Sequence, residues 1–114
     1  MDEKILKLLF DIKEAISEID NYFKDYPKDF NKYKKNTLLK RAIERDLEII
    51  GEAINKILKI DENFPINNAK RIVGLRNQII HAYDNISDEN IWAILLKHLP
   101  KLKEEINRLI KENQ

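Results

Sequence analysis

Apolar residues recur at spacings of three and four along two long stretches of the chain. The first stretch runs from about Asp2 to Asp25 and the second from about Lys34 to Lys59. Residues at these spacings lie on one face of an α-helix, so each stretch is predicted to form a helix with a single apolar stripe. Tyr26 precedes a proline and therefore disfavours helical backbone, which predicts the end of the first helix.

Two further helices are predicted in the second half of the chain. Asn67 or Asn68 is a suitable N-cap for a third helix, which extends to about His81. A fourth helix begins after Ser87 and has acidic residues in its first turn, where they suit the helix dipole. Pro100 removes a backbone hydrogen bond and clashes with the preceding turn, so we expect it to kink or divide this last helix.

The patterns indicate the fold class. No stretch of strict alternation is long enough to predict a strand, and neither an internal repeat nor a linker is visible. A chain of 114 residues fits one domain, residues 1–114, with one core. The sequence therefore predicts an all-α protein, an antiparallel bundle of four helices, or five if the proline divides the last one.

Composition narrows the expected compartment. The chain has no cysteine, which excludes disulfides and thiolate metal sites. Its first residues lack the basic and apolar pattern of a signal peptide. The longest apolar run covers the six residues from Ile91 to Leu96, whereas a membrane span needs about 20. We therefore expect a cytoplasmic protein that does not enter a membrane.

Charge is unevenly distributed although its total is nearly balanced. Between Lys28 and Arg45 the chain carries seven basic residues and two acidic ones, against 21 basic and 20 acidic residues in the whole chain. Such a stretch could attract phosphate groups. The alternative is a lysine-rich helix that is only solvated, and charge alone favours this alternative.

Several classes of reactive site are not supported. The two histidines, His81 and His98, do not occur in the paired spacings typical of metal ligands, and no glycine-rich phosphate loop is present. We therefore expect neither a metal nor a cofactor. What remains is the run from Arg76 to Tyr83, at the end of the third predicted helix.

This run combines groups that suit phosphodiester chemistry. Asn77 and His81 are four residues apart and share a helix face, whereas Arg76 and His81 are separated by about 140° around an ideal helix. The long arginine side chain could still reach a ligand that the histidine touches. Its guanidinium group matches phosphate, and a histidine can take and give a proton near neutral pH.

An ordinary structural interpretation competes with this one. His81 could cap the carbonyl groups of a helix end, where a cation is favoured by the dipole. Arg76 could be a surface cation, Asn77 a polar neighbour and Tyr83 a half-buried packing residue. The spacing alone favours this ordinary interpretation.

A resemblance to a known family reverses that preference. Arg76-Asn77-x-x-x-His81-x-Tyr83 resembles the signature of the HepT-like branch of the HEPN domain proteins. The block from Glu44 to Ala53 is similar to the family's second-helix block, and the Ile91-Trp92 and Leu99-Pro100 region resembles its last section. The similarity covers most of the chain in the same order.

The resemblance implies a function that the residues alone do not. HepT-like proteins are helical bundles that form homodimers, with the Arg-His motifs of two protomers facing each other in a cleft. Many are metal-independent endoribonucleases that act as toxins of toxin-antitoxin pairs. By position, Arg76 and His81 would be catalytic, and Asn77 would help to order the histidine or the helix end. The antitoxin, a minimal nucleotidyltransferase, would inhibit the toxin by transferring AMP to Tyr83.

The basic stretch then becomes a candidate path for the RNA backbone. The residues expected to contact RNA are Lys34, Lys35, Lys40 and Arg41. Two other functions stay open: a non-catalytic nucleotide- or partner-binding subunit of a nucleotidyltransferase complex, and a purely structural helical dimer.

Overall fold

The computed structural model describes residues 2–68, 72–74 and 87–114. In this part of the chain all regular structure is helical, which confirms the predicted all-α fold. The elements are α1 (Glu3–Asp25), α2 (Phe30–Lys35), α3 (Thr37–Ile60), α4 (Asp88–Ala93), a π-helical turn (Ile94–His98) and α5 (Leu99–Glu112). Residues 72–74 are helical as well.

The helix boundaries follow from local capping. The Asp2 carboxylate accepts a hydrogen bond from the Lys4 backbone N–H at 2.7 Å, and α1 begins between them. The Ser87 hydroxyl accepts one from the Asn90 N–H at 3.0 Å, which confirms the predicted start of the fourth helix. These side chains replace partners that the first N–H groups of a helix lack.

The second predicted helix begins three residues later than expected. The Asn36 side chain accepts a hydrogen bond from the Leu39 N–H at 3.0 Å, and this cap sets the start of α3 at Thr37. The lysines before it belong to α2, which the sequence did not predict. A helix of six residues is too short to display a period, and α2 is held by the complete burial of Tyr33.

Three long helices form the main packing unit. Tyr22 near the end of α1 contacts Asp46 in the first half of α3, whereas Leu8 and Lys56 line one groove between these helices, so α1 and α3 are antiparallel. Helix α5 packs on α1 as well. The fully buried side chains between the three helices include Leu9, Ile12, Ile43, Leu47, Ile50, Ile54, Leu102 and Ile106.

Pro100 divides the last helix, as predicted. It lies in the first turn of α5, a position at which proline is tolerated. The five residues before α5 form the π-helical turn, which absorbs the change in hydrogen-bonding register. The described part of the chain contains no helix that is both long and apolar enough to cross a bilayer.

An aromatic cluster joins the shorter helices to α1. The Trp92 ring of α4 lies 5.1 Å from the Tyr33 ring, 5.8 Å from Phe30 and 6.0 Å from Phe23, measured between ring centroids. The Lys28 ammonium lies 5.4 Å from the centre of the Phe23 ring. These contacts bury apolar surface from three helices at once, so Trp92 links α1, α2 and α4.

Candidate functional site and family

The four motif residues, Arg76, Asn77, His81 and Tyr83, lie outside the described residues. Their roles therefore stay predictions from the sequence. They belong to residues 69–86, the motif segment, of which the structure describes 72–74. The structure describes the chain on both sides of this segment, up to Asn68 and again from Ser87. The described contacts on these two sides define the frame to which the motif segment is attached.

On the first side, a buried carboxylate holds the backbone. Both carboxylate oxygens of Glu105 accept the Asn67 N–H, at 3.0 and 3.1 Å, and one of them also accepts the Asn68 N–H at 3.1 Å. Glu105 lies on α5 and is only 6% exposed. An N–H group at a predicted helix start needs an acceptor, and here a side chain from another helix supplies it.

Apolar contacts continue this attachment. Phe64 and Ile66 are half-buried against the core, and Ile72 is fully buried. A short turn after α3 is closed by the Phe64 N–H, which donates to the Asp61 carbonyl at 3.1 Å. The loop that leads to the motif segment is therefore anchored to the core by Phe64 and Ile66.

On the second side, an ion pair joins the start of α4 to the start of α3. The Lys40 ammonium lies 3.1 Å from the Asp88 carboxylate, and both side chains are partly buried. Asp88 follows the Ser87 cap directly, so this ion pair fixes the position at which the chain returns to the bundle.

The four candidate RNA-contacting residues fall into two groups. Lys40 is paired with Asp88, and the Arg41 guanidinium donates to both oxygens of Glu44, at 2.7 and 3.1 Å. Lys34 and Lys35 are exposed at the end of α2, with no ion pair to any residue in the described ranges. The structure thus leaves Lys34 and Lys35 as the better candidates for contact with phosphate, because the other two charges are already offset.

A groove lies between α1 and α3 that was not predicted from the sequence. Its volume is about 530 Å³. Six carboxyl groups line it, against the two cations Arg45 and Lys56. The six are Asp11, Glu14, Glu18, Asp46, Glu48 and Glu52. The helical spacing of the acids on α1 was a usable signal, but nothing in the sequence indicated that those on α3 would face them. A groove of this charge repels phosphate, so it is not a site for the RNA backbone.

Asp46 is the buried acid of this groove, with 2% of its surface exposed. Its carboxylate accepts a hydrogen bond from the Tyr22 hydroxyl at 2.7 Å. Burial raises the pKa of Asp46 to about 7, and a hydrogen bond to the Glu18 carboxylate adds to this rise, while the Tyr22 bond and the Arg45 charge oppose it. Asp46 is therefore protonated below about pH 7.

The raised pKa of Asp46 predicts that the stability of the protein depends on pH. A raised pKa means that the native state holds a proton that the unfolded chain, with an aspartate pKa of about 3.9, has lost. The contribution of Asp46 is full below about pH 4 and is lost as the pH rises through about 7. Asp46→Asn retains an acceptor for Tyr22 and a donor for Glu18 in a neutral group. We expect this variant to be more stable than the wild type at pH 8. Its free energy of unfolding should also fall less between pH 4 and pH 8 than that of the wild type.

Urea denaturation followed by circular dichroism, at pH values from 4 to 8, measures the effect. Glu48→Gln on the same helix is the matched control, and its free energy of unfolding should depend on pH as that of the wild type does. The same pH dependence in the wild type and in Asp46→Asn would contradict the assignment of the proton to Asp46.

Comparison with known proteins identifies the family. The family model described as Ribonuclease HepT-like matches residues 12–109. Two proteins of Methanocaldococcus jannaschii are similar over most of their length. "Putative RNase MJ0125" is 34% identical over 109 residues, which cover 95% of this chain and 92% of that protein. "Putative RNase MJ1380" is 38% identical over 99 residues, covering 86% and 89%.

A third relative comes from another organism. "Probable ribonuclease HepT" of Thermococcus cleftensis is 32% identical over 108 residues, covering 90% of this chain and 93% of that protein. No solved structure matches the chain significantly. The family match spans α3, α4 and nearly all of α5, and it includes the positions of the Arg-His motif. It confirms the resemblance inferred from the motif blocks and the enzyme class, a nuclease that acts on RNA. The chain belongs to the HepT-like ribonuclease family of HEPN-fold proteins.

Proposed function

We propose that this protein is a metal-independent endoribonuclease toxin of a toxin-antitoxin pair, with Arg76 and His81 as its catalytic residues. The observation that carries the proposal is the family match over residues 12–109, within which the chain retains the complete Arg76-Asn77-x-x-x-His81-x-Tyr83 motif. The exposed lysines at the end of α2 add a surface of suitable charge for a polyanion. We place the protein in the cytoplasm, where RNA is present.

The proposed chemistry uses the nucleophile that RNA already contains. A general base removes the proton of the 2′-hydroxyl, the 2′-oxygen forms a bond to phosphorus, and the bond to the 5′-oxygen breaks as a general acid protonates it. Arg76 stabilises the additional negative charge on the phosphorane. The products are a 2′,3′-cyclic phosphate and a free 5′-hydroxyl, so no atom has to come from a metal-bound water.

A homodimer supplies the two proton-transfer groups. Each chain has one histidine in the motif, His81, whereas the reaction needs both a base and an acid. A two-fold axis between two protomers would bring two copies of His81 and Arg76 to one cleft. The proposal therefore requires a dimer for full activity.

The proposed regulation acts through Tyr83. A minimal nucleotidyltransferase, the antitoxin, would transfer AMP from ATP to the tyrosine hydroxyl and release pyrophosphate. Tyr83 is two residues from His81 in the sequence. A phosphodiester at this position adds a negative charge and a bulky nucleoside, and it would repel the RNA backbone in the same way as a phosphate group on a side chain.

The test is cleavage of a mixed RNA substrate in excess EDTA by protein whose intact mass excludes AMP on Tyr83. We expect cleavage that persists in EDTA and products that end in a 2′,3′-cyclic phosphate. Size-exclusion chromatography should place the activity in the dimer fraction. Absence of cleavage by the unmodified dimer would contradict the ribonuclease proposal and would favour a partner-binding subunit.

The exposed lysines of α2 allow a separate prediction about RNA binding. We expect the double variant Lys34→Glu and Lys35→Glu to bind single-stranded RNA more weakly than the wild type. If both lysines contact phosphates, the slope of log affinity against log salt should fall by about 1.4. Fluorescence anisotropy with labelled RNA, in a His81→Ala background that prevents cleavage, measures both quantities.

The matched control reverses two exposed lysines on other helices, Lys13→Glu and Lys101→Glu. Its total charge equals that of the α2 double variant, so it corrects for the general effect of charge. Equal affinity of the two double variants would place the RNA path elsewhere on the surface.

A further inference from the structure

We propose that Glu105 is a positioning residue for the Arg-His motif, and that it acts by fixing the backbone at the start of the segment that carries the motif. This inference rests on the proposed catalytic roles of Arg76 and His81. Glu105 is far from the motif in the sequence and has no place in the chemical step. Its carboxylate instead accepts three hydrogen bonds from the backbone N–H groups of Asn67 and Asn68.

The geometry of this contact is unusual for a glutamate on a helical bundle. Glutamate is rarely buried without a partner, and Glu105 is 6% exposed. Within the described ranges no lysine or arginine forms an ion pair with it, and its hydrogen-bond donors are main-chain groups. Hydrogen bonds from backbone N–H groups to a buried carboxylate hold that backbone in place, because its movement would remove donors from a buried charge.

The neighbouring acid on α5, Glu104, lies in a different environment. Glu104 is exposed, whereas Glu105 faces the core between the buried Leu102 and Ile106 positions. The burial of Ile72, four residues after Asn68, adds a second point of attachment at the same end of the segment. The two together attach the chain to the bundle at Asn67, Asn68 and Ile72, at the start of the segment that carries the motif.

A small error at this point would be amplified at the motif. The sequence predicts a helix from Asn67 or Asn68 to His81, and thirteen residues of helix correspond to about 20 Å. A tilt of about 3° at the start of such a helix moves its far end by about 1 Å. A displacement of that size can lower a catalytic rate by about 10²-fold, because the reacting groups must be aligned closely.

The experiment compares Glu105→Leu, Glu105→Gln and the matched control Glu104→Leu, each at a temperature at which circular dichroism shows it folded. We expect Glu105→Leu to lower kcat for RNA cleavage by about 10²-fold with little change in KM. Glu105→Gln retains an acceptor oxygen and should recover most of the rate. Glu104→Leu should retain the wild-type kcat.

A readout independent of catalysis separates this inference from the proposed function. Hydrogen exchange measured by NMR should show the Asn67 and Asn68 amides protected in the wild type and in Glu104→Leu, and exposed to exchange in Glu105→Leu. The ring signals of His81 should shift in Glu105→Leu alone. If Glu105→Leu does not fold, faster exchange of the same two amides in Glu105→Gln tests the same contact.

The outcomes are distinguishable. A wild type that does not cleave RNA would overturn the proposed function, while altered amide exchange and altered His81 signals would still support the positioning role. Unchanged amide exchange and unchanged His81 signals in the Glu105 variants would overturn the positioning role, whatever the activity. A kcat for Glu105→Leu equal to that of Glu104→Leu would overturn it as well.

Discussion

Replacing His81 by alanine is expected to lower the rate of RNA cleavage by about 10²–10⁴-fold, the usual contribution of general acid-base catalysis. In the proposed dimer the substitution removes both proton-transfer groups, because the two histidines of the cleft come from the same position of two chains. We therefore expect the upper part of this range. RNA binding should change little, since the phosphate contacts depend on arginine and lysine side chains. Single-turnover cleavage and anisotropy measure the two effects separately.

The other histidine of the chain provides the control. His98 is the last residue of the π-helical turn, and it is not part of the motif. The variant His98→Gln should cleave RNA at a rate close to that of the wild type. Equal rates for His81→Ala and the wild type would indicate a contaminating nuclease or a different site.

Mixed dimers test whether the cleft is shared. A heterodimer of one wild-type and one His81→Ala protomer retains a single motif histidine. If the two histidines act as base and acid in one common cleft, this heterodimer should cleave RNA at far less than half of the wild-type rate. A rate close to one half in a verified heterodimer would contradict a site built from two chains.

The second large effect concerns stability. Trp92→Ala should lower the free energy of unfolding by about 3 kcal/mol, at the lower end of the range for truncation of a large aromatic side chain because the ring is partly exposed. The ring contacts Phe23 of α1 and both Phe30 and Tyr33 of α2. Its loss leaves a cavity where three helices meet. Such a loss is a large fraction of the 5–15 kcal/mol that is typical of a domain.

Urea denaturation followed by circular dichroism measures this effect, since Trp92 is the single tryptophan and its fluorescence is lost with it. Leu96→Ala is the matched control. Leu96 lies one turn further along and is 48% exposed, so we expect a change of less than about 0.5 kcal/mol. Equal destabilisation by the two variants would contradict a central role for the aromatic cluster.

Much of the fold could be predicted because its signals are local. The stripes of α1 and α3, the stop after Asp25, the Ser87 cap and the division at Pro100 each depend on residues within one or two helical turns. Helix α2 was not predicted, because it lacks such a local signal. Its six residues are too few to show a period, and it is held in place by Tyr33 and the distant Trp92.

The candidate site was predictable only in part. The motif blocks in the sequence indicated the family, and the family match confirmed it. From the sequence, four residues of the basic stretch are equivalent candidates for RNA contact: Lys34, Lys35, Lys40 and Arg41. The structure separates them, because Lys40 is paired with Asp88, a residue 48 positions away. No pattern within the basic stretch could have indicated that partner.

The sequence by itself determined the helical character, the main helix boundaries, the motif and the family of this protein. These properties depend on short-range periodicity, on capping side chains and on the identity of a few residues, all of which can be read along the chain. Only the tertiary structure decided which of the 20 acidic residues are buried and what they hold. Asp46 on α3 is buried and accepts a hydrogen bond from Tyr22 of α1, and Glu105 on α5 accepts hydrogen bonds from the backbone N–H groups of Asn67 and Asn68. Burial and long-range hydrogen bonds arise from helix packing, and the partners in these contacts are 24 to 38 residues apart.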